Sequence, residues 1–273
     1  MGGYVTWQIP TMHLPIDLLI PEILNSLEKR SNLILEASPG SGKTTRVPPA
    51  LLKSSFLADD REILVLEPRR LAAKYSAHRI ATELGCEVGE VVGYQFRFEN
   101  VTSSKTRLRF VTEGLFMRFL MSHPRLERVA AVVLDEFHER SIQSDIALGY
   151  LKVLQKTHRP DLRILLMSAT LESESLSRYL DGAPIVRLQT QLHPVRLNYL
   201  PSPPSKVLDQ RVRDAVLRAL TETSGDLLVF LPGMADMRRC EQALRDLQSA
   251  RVLLLHGELS REEQDLAMQV GGG

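Results

Sequence analysis

Nine consecutive residues, ASPGSGKTT at positions 37–45, combine the residue types that a phosphate group requires. Gly40 and Gly42 permit tight turns and a close backbone approach, and successive amides at a helix N-terminus can donate to phosphate oxygens. Lys43 supplies a cation for a β- or γ-phosphate and Thr44 a hydroxyl for magnesium. Ser38, Gly40, Ser41, Gly42, Lys43, Thr44 and Thr45 are therefore the candidate nucleotide contacts. Ala37 stands where the general pattern has its first glycine, and Pro39 stiffens the turn. A glycine-rich turn with an incidental lysine is the plain alternative, and the strand-then-helix context weighs against it.

A second constellation follows the apolar run VAAVVL at 129–134, which leads into Asp135, Glu136, Phe137 and His138. Asp135 can hold a magnesium ion through water, with Thr44 and Glu136 as the other metal-side candidates. Glu136 can orient and deprotonate a water that attacks a γ-phosphate. Taken alone, an Asp-Glu pair is more often a solvated turn. A phosphate loop on another strand of the same sheet reverses that reading and makes Lys43, Glu136 and His138 the catalytic candidates. His138 and Glu139 do not begin a zinc-protease motif, because HERSI does not complete H-E-x-x-H.

These residues need a scaffold, and the sequence predicts one. The runs NLILEA (32–37), EILVLE (62–67), VAAVVLD (129–135) and LRILLMS (162–168) read as buried parallel strands, and PIVRL (184–188) is the last strand-like run. Between them lie helical spacings such as Leu71, Tyr75, Ile80 and Leu84, or Ile142, Ile146, Leu151 and Leu154. Strand and helix in alternation imply an α/β fold with a doubly wound parallel sheet, whose ligands gather at the carboxyl ends of the strands. Both constellations fall there.

Residues 193–206, HPVRLNYLPSPPSK, break the pattern with prolines and serines and read as a linker. The alternation then restarts, with helices expected over 207–222 and 234–248 and strands over 226–231 and 251–255. About 67 residues follow the linker, fewer than a complete doubly wound lobe uses, so the second lobe is expected to be partial and marginally folded. The expected organisation is an extension at 1–13, a first lobe at 14–192, the linker, and the partial lobe at 207–273.

Composition narrows the function classes. The 34 basic and 33 acidic residues leave a net charge of +1, which excludes a protein held to nucleic acid by bulk charge but allows a local basic groove. Two cysteines, Cys86 and Cys240, occur in no metal-ligand or disulfide spacing, which favours a reducing cytoplasmic setting. The apolar runs are too short to span a membrane, and the N-terminal stretch lacks a basic leader. Nothing points to an obligate oligomer.

In order and spacing, the motifs resemble the superfamily 2 helicases of the DEAH-box type, and most closely the bacterial HrpB-type branch. ASPGSGKTT resembles motif I, EPRRLAA (67–73) motif Ia, TEG (112–114) motif Ib, DEFH (135–138) motif II, SAT (168–170) motif III and VFLPG (229–233) motif IV. GYQFRFE (93–99) resembles another stretch common in that group. The resemblance implies a RecA-like P-loop NTPase lobe that uses ATP or other NTPs with Mg²⁺ and acts on single-stranded or partly duplex RNA or DNA. It places Ser168 and Thr170 in coupling, Arg69, Arg70 and Thr112 against the nucleic-acid backbone, and Arg79 against the nucleotide base. Motifs V and VI, whose arginines reach the γ-phosphate, have no counterpart in these residues. An ATP- and nucleic-acid-binding module without efficient turnover is therefore the alternative. A P-loop kinase or GTPase has no use for the SAT and PRR elements.

Overall fold

The computed structural model describes residues 13–58, 60–169, 173–189, 195–200 and 207–268. Thr170, most of the expected linker and most of the N-terminal extension lie outside them. The chain divides into two compact units, residues 1–192 and 193–273.

The first unit is built on eight strands: β1 (Asn32–Ala37), β2 (Glu62–Leu66), β3 (Val92–Phe96), β4 (Glu99–Val101), β5 (Leu108–Val111), β6 (Val129–Leu134), β7 (Arg163–Ser168) and β8 (Ile185–Leu188). They form one sheet in the order β4-β3-β5-β2-β6-β7-β1-β8. Every neighbouring pair is parallel except β3 with β4. The doubly wound parallel sheet expected from the alternation is what forms.

Period-two alternation assigns each strand residue to one of two cores. Leu33, Leu35, Ile63, Val65, Val133 and Leu165 face helices α1 (Ile20–Lys29), α2 (Lys43–Leu51) and α3 (Arg70–Leu84). Ile34, Leu64, Leu66, Val132, Ile164 and Leu166 face α4 (Glu113–Ser122), α5 (Ile142–Thr157) and α6 (Ser173–Tyr179). Because both faces are covered, the strands carry apolar residues continuously, and all six residues of β6 are buried.

Two readings of the helices need correction. Ile142 and Ile146 are 75% and 50% exposed. The face of α5 turned to the sheet is Ser144, Ala147, Leu148, Leu151 and Leu154. Likewise α3 buries Ala73, Ser76, Ala77, Ile80 and Ala81, with Leu71 and Tyr75 only half-buried. Small residues share both buried faces with larger ones: Ile80 of α3 and Leu151 and Leu154 of α5 are buried and Leu84 packs against the core, as their spacing expects.

Strands β3, β4 and β5 are not visible in the sequence pattern. They are short and carry polar residues whose partners lie on neighbouring strands: the Arg109 guanidinium on β5 pairs with Glu62 on β2 and donates to Gln95 on β3. Gly93 makes the β3–β4 turn-back possible, since a Cβ there would sit 2.3 Å from the Val101 carbonyl oxygen.

The second unit contains α7 (Leu208–Glu222), α8 (Met234–Ala243) and α9 (Arg261–Met268), with α7 and α8 packed together. The expected strands at 226–231 and 251–255 do not form ladders, and the expected helix over 234–248 ends at Ala243. Leu228 and Phe230 are 75% and 87% exposed. A helix closes its hydrogen bonds within itself, whereas a strand needs partners on its flanks, and these two segments do not pair.

Gly93→Ala is expected to destabilise the first unit by about 1–3 kcal/mol through overpacking, read as a lowered thermal midpoint. Limited trypsin digestion is expected to degrade the second unit first, leaving a resistant fragment that ends before Leu208. Equal resistance of both units would contradict the sparse burial seen beyond that residue.

Candidate functional site

Five parallel strands end along one edge in the order β5, β2, β6, β7, β1. Thr112, Glu67 with Arg69, Asp135, Ser168 and the 38–42 loop therefore emerge side by side, each strand about 4.8 Å from the next. The edge carries all the candidate site residues that the structure describes except Arg79, which lies on the body of α3.

Gly40 and Gly42 adopt φ of +76° and +92°, backbone that a side chain would strain. At Gly42 an added Cβ would also meet Leu14 Cδ1 at 2.6 Å, because the segment around Leu14 and Ile16 lies over the loop. The Ile16 amide donates to the Ser41 carbonyl at 3.2 Å. Ser41 and Lys43 are buried, while Ser38, Thr44 and Thr45 are half-buried. The loop thus enters α2 with Lys43 and Thr44 as its first residues, and both reach across β7 to the end of β6.

There the Thr44 hydroxyl donates to Asp135 Oδ2 at 2.5 Å, and Lys43 Nζ lies 2.8 Å from Glu136 Oε1. Glu136 Oε2 lies 3.2 Å from His138 Nδ1, although that nitrogen has no hydrogen bond of acceptable direction. Glu136 has φ of +47°, uncommon for a residue with a side chain, and its amide donates to Asp135 Oδ1 at 2.8 Å. The left-handed backbone sends two consecutive carboxylates to the same edge, one towards Thr44 and the other towards Lys43.

Magnesium fits this arrangement when it arrives with a nucleotide. One carboxylate and one hydroxyl, already in contact, match an ion that takes few protein ligands and completes its shell with phosphates and water. Among the described residues no cluster of three or more His, Cys, Asp or Glu forms a self-sufficient metal cage.

Ser168 is fully buried at the end of β7, in register with Glu36 of β1, and β7 packs against the short turn Phe137–Glu139. Arg69 and Arg70 are exposed at the start of α3, and Arg69 is paired with Glu139 at 2.7 Å. Thr112 precedes α4 and its carbonyl accepts the Leu115 and Phe116 amides. Arg79 lies 2.6 Å from Glu83 in an i,i+4 pair, and Glu83 also meets Arg46 of α2 at 2.9 Å.

Two acids escaped the sequence reading. Glu67, only 2% exposed, follows β2 beside Asp135 and accepts the Arg69 amide at 3.2 Å. Its position inside EPRR was the available signal. Burial, then the neighbouring Asp135 charge, pushes its carboxyl up to about 8, while burial raises Asp135 to about 6. The second, Glu139, gave no sequence signal beyond its place after His138.

The raised Glu67 carboxyl makes stability fall as pH rises. Below the ordinary glutamate range the carboxyl is protonated in both folded and unfolded chains, and stability is undiminished. As pH rises towards about 8, only the unfolded chain releases this proton, so stability is lost. In metal- and nucleotide-free protein, Glu67→Gln is expected to flatten this decline and to be about 2–4 kcal/mol more stable than the parent above that pH, by urea unfolding. A variant declining as steeply as the parent would place the retained proton elsewhere.

Comparison with known proteins identifies the family and the fold. Residues 18–178 match the DEAD/DEAH box helicase family. The chain is 40% identical over 257 residues to the ATP-dependent RNA helicase HrpB of Escherichia coli (strain K12), covering 93% of this chain and 32% of that protein. It is 39% identical over 225 residues to the probable ATP-dependent RNA helicase DHR2 of Saccharomyces cerevisiae, covering 82% of this chain and 31% of that one. The crystal structure of the Escherichia coli DEAH/RHA helicase HrpB superposes with a TM-score of 0.86 at 39% identity, over 95% of this chain and 33% of the other. The chain thus spans about a third of the length of these relatives. The doubly wound sheet, the phosphate loop joined to the Asp-Glu pair across its edge, and these matches together establish that the chain belongs to the DEAD/DEAH box helicase family.

Proposed function

We propose that the first unit binds and hydrolyses ATP with Mg²⁺ and couples hydrolysis to movement on RNA. The observation that carries this reading is the double contact between loop and acids, Thr44 with Asp135 and Lys43 with Glu136. The RNA preference rests on the relatives, both of which are named as RNA helicases. Among the described residues no helix is long and apolar enough to cross a membrane.

In this reading Ser38, Gly40, Ser41, Gly42 and Thr45 cradle the phosphates with backbone amides, and Lys43 turns from Glu136 to the β/γ-phosphates. Thr44 and Asp135 hold the magnesium ion, which when bound neutralises charge on the phosphate oxygens. Losing Lys43 to the phosphates leaves Glu136 free to accept a proton from the attacking water. His138, close to the other carboxylate oxygen of Glu136, keeps that side chain oriented. Ser168 and Thr170 transmit nucleotide state, and Arg69, Arg70 and Thr112 meet the nucleic-acid backbone. Arg79 is assigned to the base, in exchange for its present contact with Glu83.

Steady-state ATP hydrolysis measured with and without single-stranded RNA tests the reading. Turnover stimulated by RNA is expected, with Lys43→Ala and Glu136→Gln each lowering it at least about a hundredfold. Glu136→Gln is expected to retain nucleotide binding. A chain that binds nucleotide and RNA yet never turns over would leave a binding module in place of a motor.

A further inference from the structure

We propose that Glu139 acts as an internal substitute for a nucleic-acid phosphate, holding Arg69 until a backbone phosphate displaces it, and is thereby a positioning residue that links the nucleic-acid edge to the water-activating acid. The inference rests on the assignment of Arg69 to nucleic acid made above, and adds to it the partner that Arg69 must first release.

Three observations support the exchange. Arg69 Nη2 lies 2.7 Å from Glu139 Oε1, and the arginine side chain is 72% exposed, so an incoming phosphate can reach the same guanidinium. With the arginine largely in water and the glutamate side chain 31% exposed, the pair is weak and exchangeable, and a phosphate offers the same anionic oxygens. The Arg69 main chain is separately secured by its amide on Glu67 Oε1, so the side chain can change partner while the turn that presents it stays in place.

Glu139 is also mechanically close to the chemistry. It ends a single helical turn that begins after Glu136, and its amide donates to the Glu136 carbonyl at 2.9 Å. Left-handed residues bound the turn on both sides, Glu136 and Arg140, each with φ of +47°. Beyond Arg140, the Ser141 hydroxyl donates to Glu113, next to Thr112. The segment that follows Glu136 is therefore fastened through Glu139 to Arg69 and through Ser141 to the start of α4, while Glu136 itself is held by Lys43. Binding of nucleic acid at Arg69 releases one fastening, and by reciprocity a rearrangement of the turn around bound nucleotide alters the affinity for nucleic acid.

The test is binding of a short fluorescent oligouridine to the whole chain without nucleotide, by anisotropy over a range of salt, for the parent, Glu139→Gln, Arg69→Ala and the double variant. Glu139→Gln is expected to bind up to about fivefold more tightly, the factor set by loss of an exposed ion pair. Its logarithmic salt slope should match the parent's, since Arg69 meets the phosphate in both complexes, whereas Arg69→Ala should lower the slope by about 0.7. Arg69→Ala should bind more weakly, and the double variant should match Arg69→Ala. An equal gain from Glu139→Gln on both backgrounds would mean general removal of negative charge and would overturn the exchange. So would unchanged or weaker binding by Glu139→Gln while Arg69→Ala still loses affinity. A parent chain that does not bind oligouridine would overturn the nucleic-acid reading itself, and this inference with it. Thermal midpoints matching the parent are expected for Glu139→Gln, since a pair this exposed adds little stability.

Discussion

The site depends on one contact made across the sheet, in which Lys43 and Thr44 at the start of α2 meet Glu136 and Asp135 at the end of β6. Strands β1 and β6 are separated by β7, so the contact spans about 10 Å of sheet and requires all three strands to end at the same level. Parallel register supplies that condition: Glu36 of β1 lies beside Ser168 of β7, and Leu134 of β6 beside Leu166. The two apolar cores hold the register, because a slip of one residue would turn every buried side chain to the opposite face.

Charge along the edge is arranged around this contact. Four acids, Glu67, Asp135, Glu136 and Glu139, lie near two cations, Lys43 and Arg69, each of which is engaged by one acid. The two acids left over are the ones that burial makes hard to ionise, Glu67 raised to about 8 and Asp135 to about 6. The Thr44 hydroxyl and the Glu136 amide both donate to Asp135 and offset part of that burial. Glu67 fills a different role as a buried acceptor that fixes the turn leading into α3.

The two units illustrate different dependences on neighbours. In the first unit each central strand has partners on both sides and helices on both faces, so segments as apolar as VAAVVL are satisfied. In the second, α7, α8 and α9 form from local hydrogen bonds, while DLLVFL and RVLLL carry strand-like composition without ladders. Val216, Cys240, Leu244 and Leu259 are its buried apolar residues among those described, a small core for three helices.

The sequence by itself determined the elements whose signal is local. Continuous apolar runs marked β1, β2, β6, β7 and β8, and the glycine spacing around Lys43 and the Asp-Glu pair after β6 marked the ends of two strands, because residue type and spacing there are the chemistry. Tertiary structure decided what depends on residues far apart in the chain. It chose which face of α5 is buried, Ser144, Ala147, Leu148, Leu151 and Leu154 rather than Ile142 and Ile146, since the side that meets the sheet is set by strands far away in the chain. It paired the short strands β3 to β5, where Arg109 of β5 finds Glu62 on β2 and Gln95 on β3. It also placed Glu67 beside Asp135 and Glu139 against Arg69, contacts that arise from strand order and that no spacing along the chain encodes.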